Sequence, residues 1–194
     1  MIEKKFLFIL SALLCFINSS ESYSSKIGEE TGLEIPRYVS LKSNDANLRV
    51  GPSKNYPIKI KFIVKNYPLI ITEEYKDWRK IIDFKDNSGW MHKSLLKGDR
   101  NGIIIDANES GIKIYNTVGG IDIGLIKGGN VIRLLKCKID WCFIKSGKYS
   151  GWINKKNIWG VDNSEIFNIG YSQMLIDTYW NISNFINNLL SQNP

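Results

Sequence analysis

Asp77-Trp78-Arg79-Lys80-Ile81 returns 63 residues later as Asp140-Trp141-Cys142-Phe143-Ile144, and Ser88-Gly89-Trp90-Met91-His92-Lys93 returns 62 later as Ser150-Gly151-Trp152-Ile153-Asn154-Lys155. Self-similarity at a fixed period means that one structural unit is built twice, and it limits each unit to about 60 residues. A weaker match, Leu48-Arg49-Val50 with Ile114-Tyr115-Asn116 at a displacement of 66, extends the copies toward their N-terminal ends. Surface loops absorb the drift in spacing.

Within each copy the apolar residues recur with period two. Asn47-Leu48-Arg49-Val50 runs into Gly51-Pro52-Ser53, Ile58-Lys59-Ile60-Lys61-Phe62 alternates strictly, and Leu69-Ile70-Ile71 follows Pro68. The second copy has Ile112-Lys113-Ile114-Tyr115, then Leu125-Ile126 before Lys127-Gly128-Gly129-Asn130, then Val131 to Leu135. These are strands with turn signals between them. Five or so strands in 60 residues make a stable open sheet with difficulty, so curling into a small barrel that hides its edges is the expected solution. The fold class expected is all-β: two tandem small barrels, 36–98 and 99–161. Leu48 and Val50 are expected to face the first barrel's interior and Arg49 its exterior. Gly89 and Gly151 each precede a Trp and are expected to allow a bend or bulge that lets the indole cover a barrel end.

Outside the repeat, Lys4 and Lys5 precede the apolar run Phe6 to Ile17 and the small residues Ser19, Ser20 and Ser22, the pattern of an export leader cleaved after Ser22. That run is too short to span a bilayer, so no transmembrane span is expected after cleavage, and the destination is periplasmic or secreted. Residues 23–35 are expected to be a flexible lead-in. From Glu165 to Leu190 the period lengthens, with Leu175, Tyr179, Ile182, Ile186 and Leu189 on one stripe. The expectation for 162–194 is a C-terminal extension with an amphipathic helix that packs on a barrel or mediates self-association.

The charge lies in the repeats. Between Pro36 and Val161 there are 23 Lys and Arg against 11 Asp and Glu, a balance of +12, whereas 162–194 carries three acids and no base. A basic block favours anionic partners, and export argues for envelope polymers rather than nucleic acid. With one His and three Cys, catalysis has few parts. The lone His92 has no second His beside it, no Gly-x-Ser-x-Gly elbow occurs, and a zinc site lacks ligands. No enzyme, metal or cofactor is expected. Beyond the leader only Cys137 and Cys142 remain. Their flanks alternate as strands, so a hairpin through Lys138-Ile139-Asp140-Trp141 sets the two face to face as a cross-strand disulfide.

Asn47-Leu48-Arg49-Val50-Gly51-Pro52-Ser53, Trp78, and Gly89-Trp90-Met91-His92 followed by Leu95-Leu96 resemble a bacterial SH3 (SH3b) domain. Arg37-Tyr38-Val39-Ser40-Leu41-Lys42, Tyr56-Pro57-Ile58 and Trp159-Gly160-Val161 further resemble the exported tandem SH3-like proteins common in alphaproteobacteria. The second copy departs from the pattern, with Asn116-Thr117-Val118-Gly119-Gly120 where Arg-x-Gly-Pro would stand. The resemblance implies binding rather than catalysis, with cell-wall peptide or glycan as ligand class, in an aromatic groove of the first copy around Arg49, Tyr56, Trp78 and Trp90. Partners are then peptidoglycan or an envelope protein. The alternative is an interaction scaffold without wall affinity.

The cysteine reading has a direct check. Protein purified without reductant should contain no titratable thiol beyond the leader, and Cys137→Ser should cost about 2 kcal/mol of stability for a short closed loop, measured by denaturant unfolding. Two reactive thiols in the native protein would overturn it.

Overall fold

Short alternating runs broken by Gly, Pro and Asn leave little room for helices, and among the described residues the helical elements are two single 3₁₀ turns, Lys93–Leu95 and Lys155–Asn157. The computed structural model describes residues 25–106 and 109–168. A two-stranded ladder, β1 (Lys26–Ile27) and β2 (Glu34–Ile35), leads into β3 (Arg37–Leu41), β4 (Ala46–Arg49), β5 (Ile58–Phe62), β6 (Pro68–Tyr75), β7 (Trp78–Ile82), β8 (Ser88–His92) and β9 (Leu96–Lys97). The second copy supplies β10 (Asn101–Ile104), β11 (Ile112–Tyr115), β12 (Asp122–Ile126), β13 (Val131–Cys137), β14 (Trp141–Ser146), β15 (Tyr149–Asn154) and β16 (Ile158–Trp159).

The two sheets have the same strand order, β5-β4-β8-β7-β6-β3-β9 and β12-β11-β15-β14-β13-β10-β16. All pairs are antiparallel, and each sheet curls around its own core as a partly open barrel. Leu41, Leu48, Leu69, Ile81 and Met91 fill the first, and Ile132, Leu134, Ile144 and Ile153 the second. Register confirms the repeat at its weakest point: Arg49 lies across from Trp90 and Tyr115 across from Trp152. Matching register shifts occur at Leu48/Arg49 and Ile114/Tyr115, and again at Ile71/Glu73 and Leu134/Lys136. The bend expected before each indole is a close crossing of strands. A Cβ on Gly89 would meet the Arg49 carbonyl at 2.7 Å, and one on Gly151 would meet the Tyr115 carbonyl at 2.8 Å.

Three expectations need correction. Val50 is 55% exposed while Leu48 is fully buried, because β4 ends at Arg49 and Val50 already belongs to the turn, where its amide donates to the Pro57 carbonyl. Residues 26–35 are not a loose lead-in. Their β1–β2 ladder is tied to the first barrel by the Glu74 carboxylate, which accepts from the amides of Glu30 and Thr31 and from the Thr31 hydroxyl. Residues 165–168 are not helical: Phe167 exchanges backbone hydrogen bonds with Cys137, and the buried Lys155 ammonium donates to the carbonyls of Asn163 and Glu165. A buried ammonium needs acceptors, and the chain after β16 supplies them, so packing on the second barrel continues past Val161. The leader at 1–22 and the remainder of the amphipathic stretch, 169–190, lie outside the described residues.

Glu74 and Arg79 face each other across the β6–β7 hairpin with side chains 1% and 5% exposed, Oε1 lying 3.4 Å from Nε, and Arg37 reaches the same oxygen at 2.8 Å. Burial alone would raise the Glu74 carboxyl, but hydrogen bonds from Arg37, Thr31 and the Glu30 amide, with the Arg79 charge, hold it below the ordinary glutamate value. A depressed carboxyl stabilises the fold above its unfolded pKa of about 4.3 and loses that contribution as pH falls through the folded value. Removing one partner of a buried pair costs about 3–5 kcal/mol. Glu74→Gln should therefore lower the melting temperature clearly at pH 7, and the gap from wild type should shrink as the pH is taken down from the ordinary glutamate range through the depressed folded value. A gap that stays constant with pH would exclude the electrostatic role.

Candidate functional site

Alternation fixes which side chains leave the first barrel. On β8, Met91 points inward, so Trp90 and His92 point outward, and on β7 Ile81 points inward, so Trp78, Lys80 and Ile82 point outward. The hairpin register sets Lys80 across from Trp90, Trp78 across from His92, and Tyr75 across from Trp78. On the far side of β8, Arg49 lies beside Trp90. One outer face therefore carries Arg49, Trp90, Lys80 and Tyr75.

The geometry is that of an aromatic platform with cationic flanks, the Lys76 ammonium lying 5.4 Å from the Tyr75 centroid and none over Trp90 among the described residues. Tyr75, 48% exposed, meets the half-buried Trp90 edge-on, with centroids 6.5 Å apart. Arg49 Nη1 donates to the Tyr56 carbonyl at 2.7 Å, which fixes the guanidinium beside the turn after β4. Tyr56 lies over that turn, its ring 2.7 Å from where a Cβ on Gly51 would be, so Gly51 makes room for the ring. Lys80 is held by Glu73 at 2.8 Å. Ring faces supply stacking area and a guanidinium pairs with carboxylates, so this face suits a peptide or glycan strand bearing acidic groups.

Of the residues expected at the site, the structure brings together Arg49, Tyr56 and Trp90. Trp78 is on the same side but only 9% exposed, edge-on against His92 with centroids 5.5 Å apart. It offers no open ring face. His92 itself is a cap, its Nδ1 accepting from the Ser94 amide at the start of the 3₁₀ turn, as Asn154 does for Lys156 in the second copy. Tyr75 and Lys80 were not singled out from sequence, although the signal existed: Lys80 is two residues from Trp78 on one strand, and Tyr75 closes the same hairpin.

The second barrel has a counterpart face with Tyr115, Trp141, Phe143 and Trp152. Its chemistry differs, because the ammonium groups of Lys136 and Lys138 sit 5.2 and 5.3 Å from the Trp152 centroid and that indole is 7% exposed. Cys137 and Cys142 lie in a hairpin pair next to this face, disulfide-bonded and fully buried. Among the described residues no helix is long and apolar enough to cross a membrane.

The family model described as "Bacterial SH3 domain" matches residues 42–98 and 125–160. Both copies of the repeat match the bacterial SH3 domain family. The match to the second copy omits β11 and the Asn116–Gly120 turn, the stretch that departs from the Arg-x-Gly-Pro signature. No curated protein matches the chain. Among solved structures it is similar to an NlpC/P60 family protein from Bacillus cereus, at 10% identity and a TM-score of 0.30, over 73% of this chain and 62% of that one. It is also similar to NlpC1 from Trichomonas vaginalis, at 13% identity and a TM-score of 0.26, over 68% of this chain and 48% of that one. The chain thus spans between about half and three fifths of those proteins' lengths. The bacterial SH3 domain is a binding module.

Burial assigns Trp78 to the framework. Trp78→Ala should destabilise the protein by about 3–5 kcal/mol, read as a lower denaturant midpoint with loss of near-ultraviolet dichroism. A folded, equally stable Trp78→Ala protein would return the residue to the binding face.

Proposed function

We propose that the protein is exported, has no catalytic activity of its own, and binds peptidoglycan through the outer face of its first bacterial SH3 domain. The observation that carries this reading is the contrast between the two faces. Trp90 keeps an accessible ring between Tyr75, Arg49 and Lys80, while its counterpart Trp152 is covered by the chain's own lysines. A stem peptide bears carboxylates on a strand with apolar and sugar surfaces, which matches a platform of rings flanked by a guanidinium and an ammonium. The basic balance of the two repeats adds a longer-range attraction to an anionic wall. Export rests on the leader pattern at 1–22, and the absence of catalysis on the scarcity of nucleophile and base together with the structural employment of His92, Cys137 and Cys142.

Co-sedimentation with purified peptidoglycan sacculi tests the reading. Wild type should pellet with sacculi at moderate salt and less at high salt, because exposed ion pairs are screened over about 8 Å at physiological ionic strength. Trp90→Ala should weaken binding by about tenfold, the effect of truncating a central aromatic anchor, with Arg49→Ala weaker than wild type and both variants folded by circular dichroism. Trp141→Ala should bind as wild type does. If the folded wild-type protein stays in the supernatant, the wall-binding reading fails and the interaction-scaffold reading takes its place.

A further inference from the structure

A cleft of about 600 Å³ lies between the two barrels, and its lining shares no residue with the platform around Trp90. Its floor is Ile82 with the rings of Tyr38 and Trp159, which meet edge-on at 5.9 Å. Its rim carries Glu34 from the N-terminal ladder, Asp86 from the β7–β8 turn and Asp162 from the segment after β16. These three carboxylates are exposed and enter no ion pair among the described residues. The one cation lining the cleft, Arg37, is already engaged, by the Glu74 carboxylate at 2.8 Å and by the Glu34 backbone carbonyl at 3.3 Å.

In a molecule whose barrels carry 23 bases against 11 acids, a cavity lined by three unpaired carboxylates over an apolar aromatic floor selects strongly. It repels anions and leaves a bare metal ion too few ligands near the floor, whereas an ammonium on an apolar stem satisfies both layers: the stem covers Ile82 and the rings, and the charge meets the rim carboxylates. The cleft is also preformed. Tyr38 Oη donates to Asp162 at 3.1 Å, the Arg100 guanidinium stacks 4.7 Å from the Tyr38 centroid, and Asn101 and the Asp99 carbonyl share the Ser40 hydroxyl across the joint. Burial first, and then the Asp162 charge, raises the Tyr38 phenol well above its ordinary pKa, so it remains a donor to Asp162. A site held open in this way loses little affinity to ordering on binding.

We propose that this cleft binds an alkylammonium group presented by a peptide, the side chain of lysine or of another diamino acid. The site is separate from the Trp90 platform and requires no wall affinity.

The test follows the Trp159 indole N–H resonance of the full chain during titration with Nα-acetyl-lysine methylamide, its Nε-acetylated form and 1,5-diaminopentane. The lysine derivative should shift the resonance saturably, and the Nε-acetylated form should bind at least about tenfold more weakly. The double variant Glu34→Gln/Asp86→Asn should lose about tenfold in affinity with its melting temperature unchanged, because neither side chain makes a hydrogen bond among the described residues. Asn is at ease at the left-handed backbone of position 86, where φ is 59°. Tighter binding of diaminopentane than of the lysine derivative keeps the ammonium site and makes a free diamine its source. No saturable shift with either amine, equal binding of the Nε-acetylated form, or undiminished binding by the double variant would each overturn the proposal. Sacculus binding is read separately through Trp90→Ala, so the two sites can fail independently.

Discussion

Each barrel depends on a lock at the closing end of its long hairpin, and the two locks are chemically unlike. In the first, Glu74 and Arg79 face each other across β6 and β7; in the second, Cys137 and Cys142 occupy the matching positions across β13 and β14. The displacement of 63 that relates the two tryptophans also carries Glu74 onto Cys137 and Arg79 onto Cys142. Both locks are buried, so each must satisfy itself. A disulfide does so covalently. A buried ion pair needs further hydrogen bonds before its attraction offsets the desolvation of two charges, and here Arg79 donates to the carbonyls of Lys76 and Trp78 while Glu74 collects donors from Glu30, Thr31 and Arg37.

That demand shapes the rest of the molecule. The unsatisfied oxygens of Glu74 recruit the segment before the first barrel, and the backbone of Cys137 pairs with Phe167 in the segment after the second. Each barrel is near the lower size limit for a domain that folds alone, and a flanking segment docked at the locked hairpin enlarges both. The same two segments supply Glu34 and Asp162 to the cleft between the barrels. The joint is then fixed by Arg100, which bonds Glu165 at 2.6 Å and lies over the Tyr38 ring, so the tail segment, the linker and the first barrel meet at one guanidinium.

Much of this was legible in the sequence because period-two alternation and a repeat are local signals. The repeat, the strands, the disulfide and the outward direction of Arg49 follow from spacing, and the Gly before each Trp marks where strands cross closely. Two things resisted. Which indole of each copy is covered depends on partners from other strands: His92 against Trp78, and Lys136 with Lys138 over Trp152. Long lysine side chains reach several ångströms along a face, and no local pattern reports where they settle. The docking of the terminal segments was equally hidden, since a short polar stretch such as Gly28-Glu29-Glu30-Thr31 becomes ordered only when a buried carboxylate elsewhere needs donors. The pairing of Glu74 with Arg79 was readable in principle, because the same displacement that revealed the repeat also superposes them on the cysteines.

The divergence of the two faces follows from the same substitution logic. Where the first copy has Arg49 beside its outward indole, the second has Tyr115, and where the first pairs Glu73 with Lys80, the second sets Lys136 against Phe143. In the first copy each cation flanking Trp90 is anchored at its side, Arg49 on the Tyr56 carbonyl and Lys80 on Glu73. In the second copy Lys136 has an aromatic residue across from it in place of a carboxylate, and its ammonium settles over Phe143 and Trp152. Two exchanges, Glu73 for Lys136 and Lys80 for Phe143, thus replace a cation beside the platform with one above it. An indole covered by the chain's own lysines offers little ring face to an external ligand, so on the proposed function the duplicated fold keeps two cores but uses the face of its first copy.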